Sequence, residues 1–161
     1  LSRNNLKYLP DSIRELENLT HLYINANKLT NLPKLSNNLQ YLDLNHNRFT
    51  TLPDLSNLVK LKELDISNNN LIYLPSTIGN LKNLEILNLD CNKLNELTES
   101  IGNLSKLTDL SCCDNLLTSL PFSIIKLNNL IFLDLSFNQL INLPLNLGDL
   151  ENLRINNNDI F

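Results

Sequence analysis

Three cysteines and two aspartates lie close enough along the chain to suggest thiol or metal chemistry. Cys112 and Cys113 are adjacent and are followed by Asp114, and Asp90 and Cys91 form a similar pair earlier in the sequence. Two thiolates with two carboxylates could bind zinc, and two neighbouring thiols could form a disulfide. Whether these side chains can meet depends on the elements that position them.

Other chemistry has little support in the residue types. The two histidines, His21 and His46, could act as general bases, but no serine has the strand-turn-helix context of a nucleophile elbow. The three glycines form no phosphate-binding loop, and a net charge of -4 without a basic stripe disfavours nucleic acid. No apolar run reaches the roughly 18 residues of a membrane helix. We therefore expect no enzyme activity, no cofactor, no metal, no nucleic acid and no membrane insertion.

The composition points instead to a repeat. Leucine and asparagine, with 41 and 30 copies, make up nearly half of the 161 residues, whereas glycine and proline number three and six. A composition this skewed is typical of an internally repeated chain.

Aligning the sequence with itself gives units of 20 to 23 residues that begin at Leu19, Leu39, Leu61, Leu84, Leu107, Leu130 and Leu150, after a partial unit. Apolar residues recur at positions 1, 4, 6, 11 and 14, all six prolines stand at position 15 and all three glycines at position 19. Position 9 is asparagine in every unit, at Asn4, Asn27, Asn47, Asn69, Asn92, Asn115, Asn138 and Asn158. Thr98 is the departure at position 15.

Each position has a physical reason. Apolar residues at positions 4 and 6 between polar ones predict a short strand in every unit, with one face buried. The asparagine amide at position 9 can satisfy backbone groups that would be buried at the turn after the strand. Proline at position 15 cannot extend a sheet, so an irregular or one-turn helical segment should return the chain. One unit cannot offset its own backbone entropy, so the units must stack.

The pattern LxxLxLxxNxLxxLP, and the stretch LPSTIGNLKNLEILNLDCNKL in particular, resembles the leucine-rich repeat family of Ras-pathway scaffolds, plant intracellular proteins and protist signalling proteins. The resemblance implies an α/β solenoid with a curved parallel β-sheet on the concave face and irregular or short helical segments on the convex face. We expect residues 1–161 to form one such domain, a fragment of about seven repeats plus partial terminal units without caps. The units at Leu19 and Leu130, 20 residues each, are also similar to those of bacterial effectors.

The repeat bears directly on the cysteines. Cys112 stands at position 6, where other units carry leucine or isoleucine, so it should pack as a small apolar residue. Cys91 and Cys113 fall at positions 8 and 7 of neighbouring units, and side chains on adjacent strands project side by side instead of converging. The pattern therefore favours three free thiols in a reducing compartment over a zinc site or a disulfide.

The inner-face positions 3, 5, 7 and 8 are free of any duty in the core, so we interpret their residue types as reflecting binding more than folding. Seven acids and several aromatics gather there, opposed by Arg3 and by Arg154 at position 5 of the last unit. The predicted partner-binding residues are His21, Tyr23, Tyr41, Asp43, His46, Glu63, Asp65, Asp90, Asp109, Asp114, Phe132, Asp134 and Phe137. Aromatic side chains beside charge are typical contact anchors.

The sequence thus predicts a cytoplasmic, non-catalytic protein-interaction module, a scaffold or adaptor in signalling that binds a protein partner with a basic element. Two alternatives stay open: a regulatory or targeting segment of a larger signalling enzyme, and a structural subunit of a large assembly.

Overall fold

The computed structural model describes residues 1–151 and 153–156, with the backbone alone at positions 155 and 156. Its central element is one parallel sheet whose seven strands follow each other in chain order. Each strand has three residues: β1 His21–Tyr23, β2 Tyr41–Asp43, β3 Glu63–Asp65, β4 Ile86–Asn88, β5 Asp109–Ser111, β6 Phe132–Asp134 and β7 Arg154–Asn156. This sequential order confirms the stacked solenoid, because every unit pairs with its sequence neighbours.

The strand pattern follows from alternation. The middle residue of β1 to β6 is a buried leucine, and the residues on either side of it are half-buried or exposed. Position 3 pairs with position 3 and position 5 with position 5 from β1 to β6, so side chains form straight columns across the sheet.

The partial first unit differs from the expectation of one strand per unit. Residues 1–10 contain no strand, although they stack on the next unit through hydrogen bonds from Arg3 N to Asn25 O at 2.9 Å and from Asn4 N to Ala26 O at 3.1 Å. The first unit therefore stacks on the turn that follows β1 and adds no strand to the sheet.

The last unit has a different register from the predicted one. Arg154 pairs with Phe132 in column 3, and not with Asp134 in column 5 as the 20-residue spacing from Leu130 implies. The reason is that Leu150 closes a convex helix, donating its N–H to Leu147 O at 3.3 Å, just as Leu127 donates to Ile124 O. Leu150 therefore belongs to the end of a convex segment and does not begin a new strand. The predicted positions Asn152 and Asn158 lie outside the described residues.

The core is a set of apolar columns running the length of the solenoid. Columns 4, 6 and 11 are filled by leucine, isoleucine, Phe49 and Cys112, and most of these side chains have no exposed surface. Cys112 itself is fully buried, which confirms its apolar role in column 6.

The predicted asparagine ladder is present from Asn27 to Asn138. At each step the Oδ1 atom accepts the N–H of position 11 in the preceding unit, as Asn92 Oδ1 does from Leu71 N at 2.9 Å. The Nδ2 group donates to three carbonyl oxygens, which for Asn92 belong to Ile66, Leu89 and Asp90. One amide thus satisfies four backbone groups in and between adjacent units.

The convex side consists of short 3₁₀ helices, η1 Asp11–Glu15, η2 Ser76–Asn80, η3 Glu99–Asn103, η4 Phe122–Lys126 and η5 Leu147–Asp149. Pro10, Pro75 and Pro121 precede three of them with φ between -69° and -64°, and Thr98 precedes η3 with φ -65°. The units that begin at Leu19 and Leu39 have no helix, since none lies between β1 and β2 or between β2 and β3.

A second ladder of hydrogen bonds, which the sequence reasoning missed, links adjacent units on the side of the solenoid where the chain enters the strands. It is formed by the residue that precedes position 1 in each of these units. Asn83 Nδ2 donates to Val59 O at 2.7 Å, Lys106 Nζ donates to Asn83 Oδ1 at 2.8 Å, and Asn129 Nδ2 donates to Ser105 O at 2.7 Å. The sequence signal that could have predicted this ladder is the recurrence of asparagine or lysine just before position 1 in successive units.

Candidate functional site

The predicted site residues lie on the solvent-facing, concave side of the sheet and on the turns that follow its strands. Column 3 aligns His21, Tyr41, Glu63, Ile86, Asp109 and Phe132 in direct register. Column 5 aligns Tyr23, Asp43, Asp65, Asn88, Ser111 and Asp134 beside it. The structure therefore brings side chains from distant parts of the sequence into two parallel rows.

Aromatic rings cluster at the N-terminal edge of this surface. The rings of His21 and Tyr41 stack with centroids 4.3 Å apart and an interplanar angle of 16°. The Tyr23 ring lies 6.3 Å from His21, and Thr20 Oγ1 is 2.9 Å from His21 Nδ1. Tyr23 remains 51% exposed, so the cluster offers a ring surface to a partner.

The aromatics at the other end are separate from one another. Phe132 is half-buried in column 3 next to Asp109, whereas Phe137 is 61% exposed on the turn after β6. Aromatic side chains therefore lie near both ends of the sheet, but the ring contacts among the described residues are at the N-terminal end.

The column-5 acids have a structural role that the sequence reasoning did not assign. Asp43 Oδ1 accepts the N–H of Asn45 at 3.0 Å, and Asp134 Oδ1 accepts that of Ser136 at 2.9 Å. Asp65 Oδ1 accepts from both the N–H and the hydroxyl of Ser67, at 2.9 and 2.6 Å. These carboxylates close the turn two residues on. The interpretation that position 5 is free of folding duty is therefore wrong.

Asp90 also points into the structure. Its Oδ1 accepts the Ser111 hydroxyl at 2.6 Å and the Cys113 N–H at 2.7 Å, both from the next unit. Burial raises the pKa of the Asp90 carboxyl despite these hydrogen bonds, and burial likewise raises the pKa of Asp43. Asp90 thus connects two units instead of presenting its charge to a partner.

Column 3 holds the acids with the fewest internal contacts. Asp109 Oδ2 accepts the Thr108 hydroxyl at 2.6 Å, and Glu63 is half-buried with no hydrogen bond from its side chain among the described residues. Ile86 lies between them and is 39% exposed. It was not among the predicted site residues, although an apolar residue at an otherwise polar position was the available signal.

Position 8 adopts a left-handed backbone in seven units. The φ angle lies between 50° and 57° at Arg3, Ala26, His46, Asn68, Cys91, Asp114 and Phe137. Most L-residues avoid this region, so its recurrence identifies a constrained turn after each strand. His46, Asp114 and Phe137 are exposed there, at the rim of the sheet surface and not within its columns.

The cysteines do not form a reactive centre. All three are free, and the described residues contain no group of three or more His, Cys, Asp or Glu side chains placed to hold a metal ion. Burial, followed by the charges of Asp134 and Asp90, raises the pKa of Cys113 to about 11. Burial and Asp114 raise the pKa of Cys91. Thiols of this kind remain protonated at neutral pH and are weak nucleophiles.

A separate groove of about 620 Å³ lies on the flank that leads away from the strands. Its lining residues include Tyr73, Glu96, Thr98, Glu99 and Phe122. Thr98, which stands where other units have proline at position 15, therefore lies in this groove. Glu99 caps the next helix, with Oε1 accepting Phe122 N at 3.1 Å and Oε2 accepting Ser123 N at 3.0 Å.

Residues 37–155 match the family model for a leucine-rich repeat region. The chain belongs to the leucine-rich repeat family. This result agrees with the parallel strands and the asparagine ladder, which recur with the repeat along the chain.

Two solved structures are similar to this leucine-rich repeat chain. A leucine-rich repeat protein of Leptospira interrogans is 32% identical with a TM-score of 0.65, over 97% of this chain and 53% of that one. PEPR1, in the crystal structure of PEPR1-AtPEP1, is 31% identical with a TM-score of 0.74, over 93% of this chain and 26% of that one. This chain therefore spans about half or less of each of these structures.

A comparison with curated proteins gives no match to this sequence. Among the residues that the structure describes, no helix has the length and apolar character needed to cross a membrane.

Proposed function

We propose that this leucine-rich repeat chain is a non-catalytic module that binds another protein through the concave, solvent-facing side of its parallel sheet. The observation that carries the proposal is the straight column 3, in which two acids alternate with aromatic and aliphatic side chains on five consecutive strands. The paired strands hold the backbone of these residues in register, so binding would cost little entropy for ordering the backbone.

The chemistry of the column favours a partner with a basic element. Among the described residues neither Glu63 nor Asp109 forms an ion pair, and the chain as a whole has a net charge of -4. Electrostatic attraction would accelerate encounter with a basic surface, while the aromatic side chains would contribute to the lifetime of the complex. The likeness to PEPR1, whose structure carries the name PEPR1-AtPEP1, supports a second chain as the ligand type.

As a role we propose a cytoplasmic scaffold or adaptor in signalling. The three free thiols support a reducing compartment. The same binding surface would serve equally in the first alternative, a regulatory segment of a larger signalling enzyme. The chain spans 53% and 26% of the two similar structures described above. In the second alternative, a structural subunit, the contacts would extend over the convex helices.

Site-specific photo-crosslinking in an extract of the native source tests the proposal. A benzophenone amino acid replaces Tyr23 or Phe132 on the sheet surface, or Tyr8 or Phe122 outside it as matched aromatic controls. We expect a discrete protein adduct from the first pair, lost in the Glu63→Lys/Asp109→Lys double variant. Adducts from Tyr8 and Phe122 alone would contradict the assignment and favour the structural-subunit alternative.

A further inference from the structure

Column 3 runs through all seven strands, from His21 on β1 to Arg154 on β7. Its five central side chains form the row that we call the column-3 file: Tyr41, Glu63, Ile86, Asp109 and Phe132. Each member is paired in register with the next on consecutive parallel strands β2 to β6. In order along the sheet they are aromatic, acidic, aliphatic, acidic and aromatic. A partner that covers the file must therefore alternate apolar and cationic groups at the same spacing.

The acids of the file are available to a partner, in contrast with those of column 5. The ion pair among the described residues joins Lys62 and Glu85, at 3.9 Å, and involves neither Glu63 nor Asp109. Asp65, by comparison, uses its Oδ1 for two hydrogen bonds to Ser67. The charges that would select a partner are therefore those of Glu63 and Asp109.

The spacing of the file is set by the sheet. Adjacent strands lie about 4.8 Å apart, so the α-carbons of neighbouring members of the file repeat at about that distance. Glu63 and Asp109, two strands apart, are then separated by about 9.6 Å, and Tyr41 and Phe132 by about 19 Å.

Three regular elements could lie along this row, and they differ in their side-chain spacing. On one face of an α-helix, residues recur on average every 3.5 positions, which at 1.5 Å per residue is about 5.3 Å. An extended strand presents same-face residues about 6.7 Å apart and falls out of step after the second one. A polyproline helix repeats at about 9.3 Å, which matches the two acids but places no side chain opposite Ile86.

We propose that the partner docks an α-helix across the strands, along the column-3 file. Apolar residues at i, i+7 and i+14 of this helix cover Tyr41, Ile86 and Phe132, while lysine or arginine at i+3 and i+10 pairs with Glu63 and Asp109. The seven-residue separation of the two cations spans about 10.5 Å, close to the separation of the acids. This inference rests on the proposed function and adds the class of partner element.

Peptide display with two defined libraries tests the inference. One library is an 18-residue alanine- and glutamine-based helix with positions i, i+3, i+7, i+10 and i+14 randomised, and the other is an extended peptide with five alternate positions randomised. Both are selected against the wild-type chain with counter-selection against Glu63→Lys/Asp109→Lys. We expect the helical library to be enriched at least about tenfold over the extended one, with basic residues at i+3 and i+10 and apolar residues elsewhere.

A charge-swap series on the best helical peptide then fixes the register. Glu63→Lys or Asp109→Lys should weaken binding at least about tenfold, and glutamate at one peptide position should restore most of the affinity in each case. We expect the two restoring positions to be seven residues apart. Glu15→Lys on η1, an exposed acid of the convex side, is the matched control and should leave the affinity within about twofold.

The outcomes separate the inference from the proposed function. Enrichment of the extended library, or restoring positions two to four residues apart, would overturn the helix while leaving the sheet surface as the binding site. Peptides that are selected on the wild type without the counter-selection and bind the double variant equally well would overturn both. Absence of enrichment from both libraries would refute the helix, and the crosslinking experiment would still decide the proposed function.

Discussion

Gly102 lies directly against Ser123 of the next unit, so that a β-carbon at Gly102 would fall 2.4 Å from the Ser123 carbonyl oxygen. Gly79 has the same relation to Ser100, at 2.5 Å. The convex helices η2, η3 and η4 therefore stack at a distance that only glycine permits at this position.

Replacing Gly102 by alanine should separate η3 from η4 and lower the free energy of unfolding by about 1–3 kcal/mol, the usual cost of overpacking. Gly148→Ala is the matched control, because a β-carbon there meets nothing within 4 Å. The control should be neutral or stabilising by up to about 1 kcal/mol. Urea denaturation of both variants checks the difference, and equal midpoints would contradict the close approach.

Asn92→Ala removes one step of the asparagine ladder. It leaves Leu71 N without the acceptor at 2.9 Å and removes the donors to Ile66 O, Leu89 O and Asp90 O. Because three of these four hydrogen bonds are buried, we expect a loss of about 1–3 kcal/mol in the free energy of unfolding. The exposed Asn95, whose side chain makes no hydrogen bond with the residues that the structure describes, provides the control substitution Asn95→Ala. A denaturation midpoint for Asn92→Ala equal to that of the control would argue against the ladder's contribution.

Thr98→Pro restores the residue found at position 15 in other units. The backbone already has φ -65°, which proline prefers, so restriction of the unfolded chain should stabilise by up to about 1 kcal/mol. The substitution also removes the hydrogen bond from Ser100 N to Thr98 Oγ1 at 3.4 Å, which is long. We therefore expect a net change within about 1 kcal/mol of zero. Thr98→Ala, which loses the cap without gaining the proline, should be the less stable variant in thermal unfolding.

Asp65 and Glu63 are neighbouring acids of β3 with different roles. Asp65→Ala should lower the free energy of unfolding by about 1–2 kcal/mol, because the Ser67 N–H and hydroxyl lose their acceptor. Glu63→Ala should change it by less than about 0.5 kcal/mol, as is usual for a surface residue away from such contacts. Calorimetry of the two variants would overturn the distinction if both lost the same stability.

The raised pKa of the thiols predicts slow alkylation and an alkaline loss of stability. With the pKa of Cys113 at about 11, its thiolate fraction at pH 8 should be roughly 100-fold below that of an unperturbed thiol. Because the folded state holds these protons more tightly than the unfolded state, stability should fall as the pH rises from about 8.5 towards 11. Iodoacetamide should label three thiols after unfolding, and fast labelling of the folded chain would contradict the burial.

The sequence alone determined the repeat, the parallel solenoid, the buried role of Cys112 and the asparagine ladder. Each of these depends on contacts between equivalent positions of adjacent units, so the period itself identifies the partners. Column 3 was likewise predictable from Tyr41 to Phe132, because position 3 of one unit pairs with position 3 of the next.

Tertiary structure decided the features that depend on where a polar side chain turns and on how the last unit closes. Asp65 could have faced a partner or its own turn, and the hydrogen bonds to Ser67 show the second. Leu150 fits the first strand position as well as the end of a convex helix, and its hydrogen bond to Leu147 O selects the latter and shifts Arg154 into column 3. The physical reason is that leucine at either position satisfies the same apolar pattern, while hydrogen bonding to a specific backbone group does not appear in the periodicity.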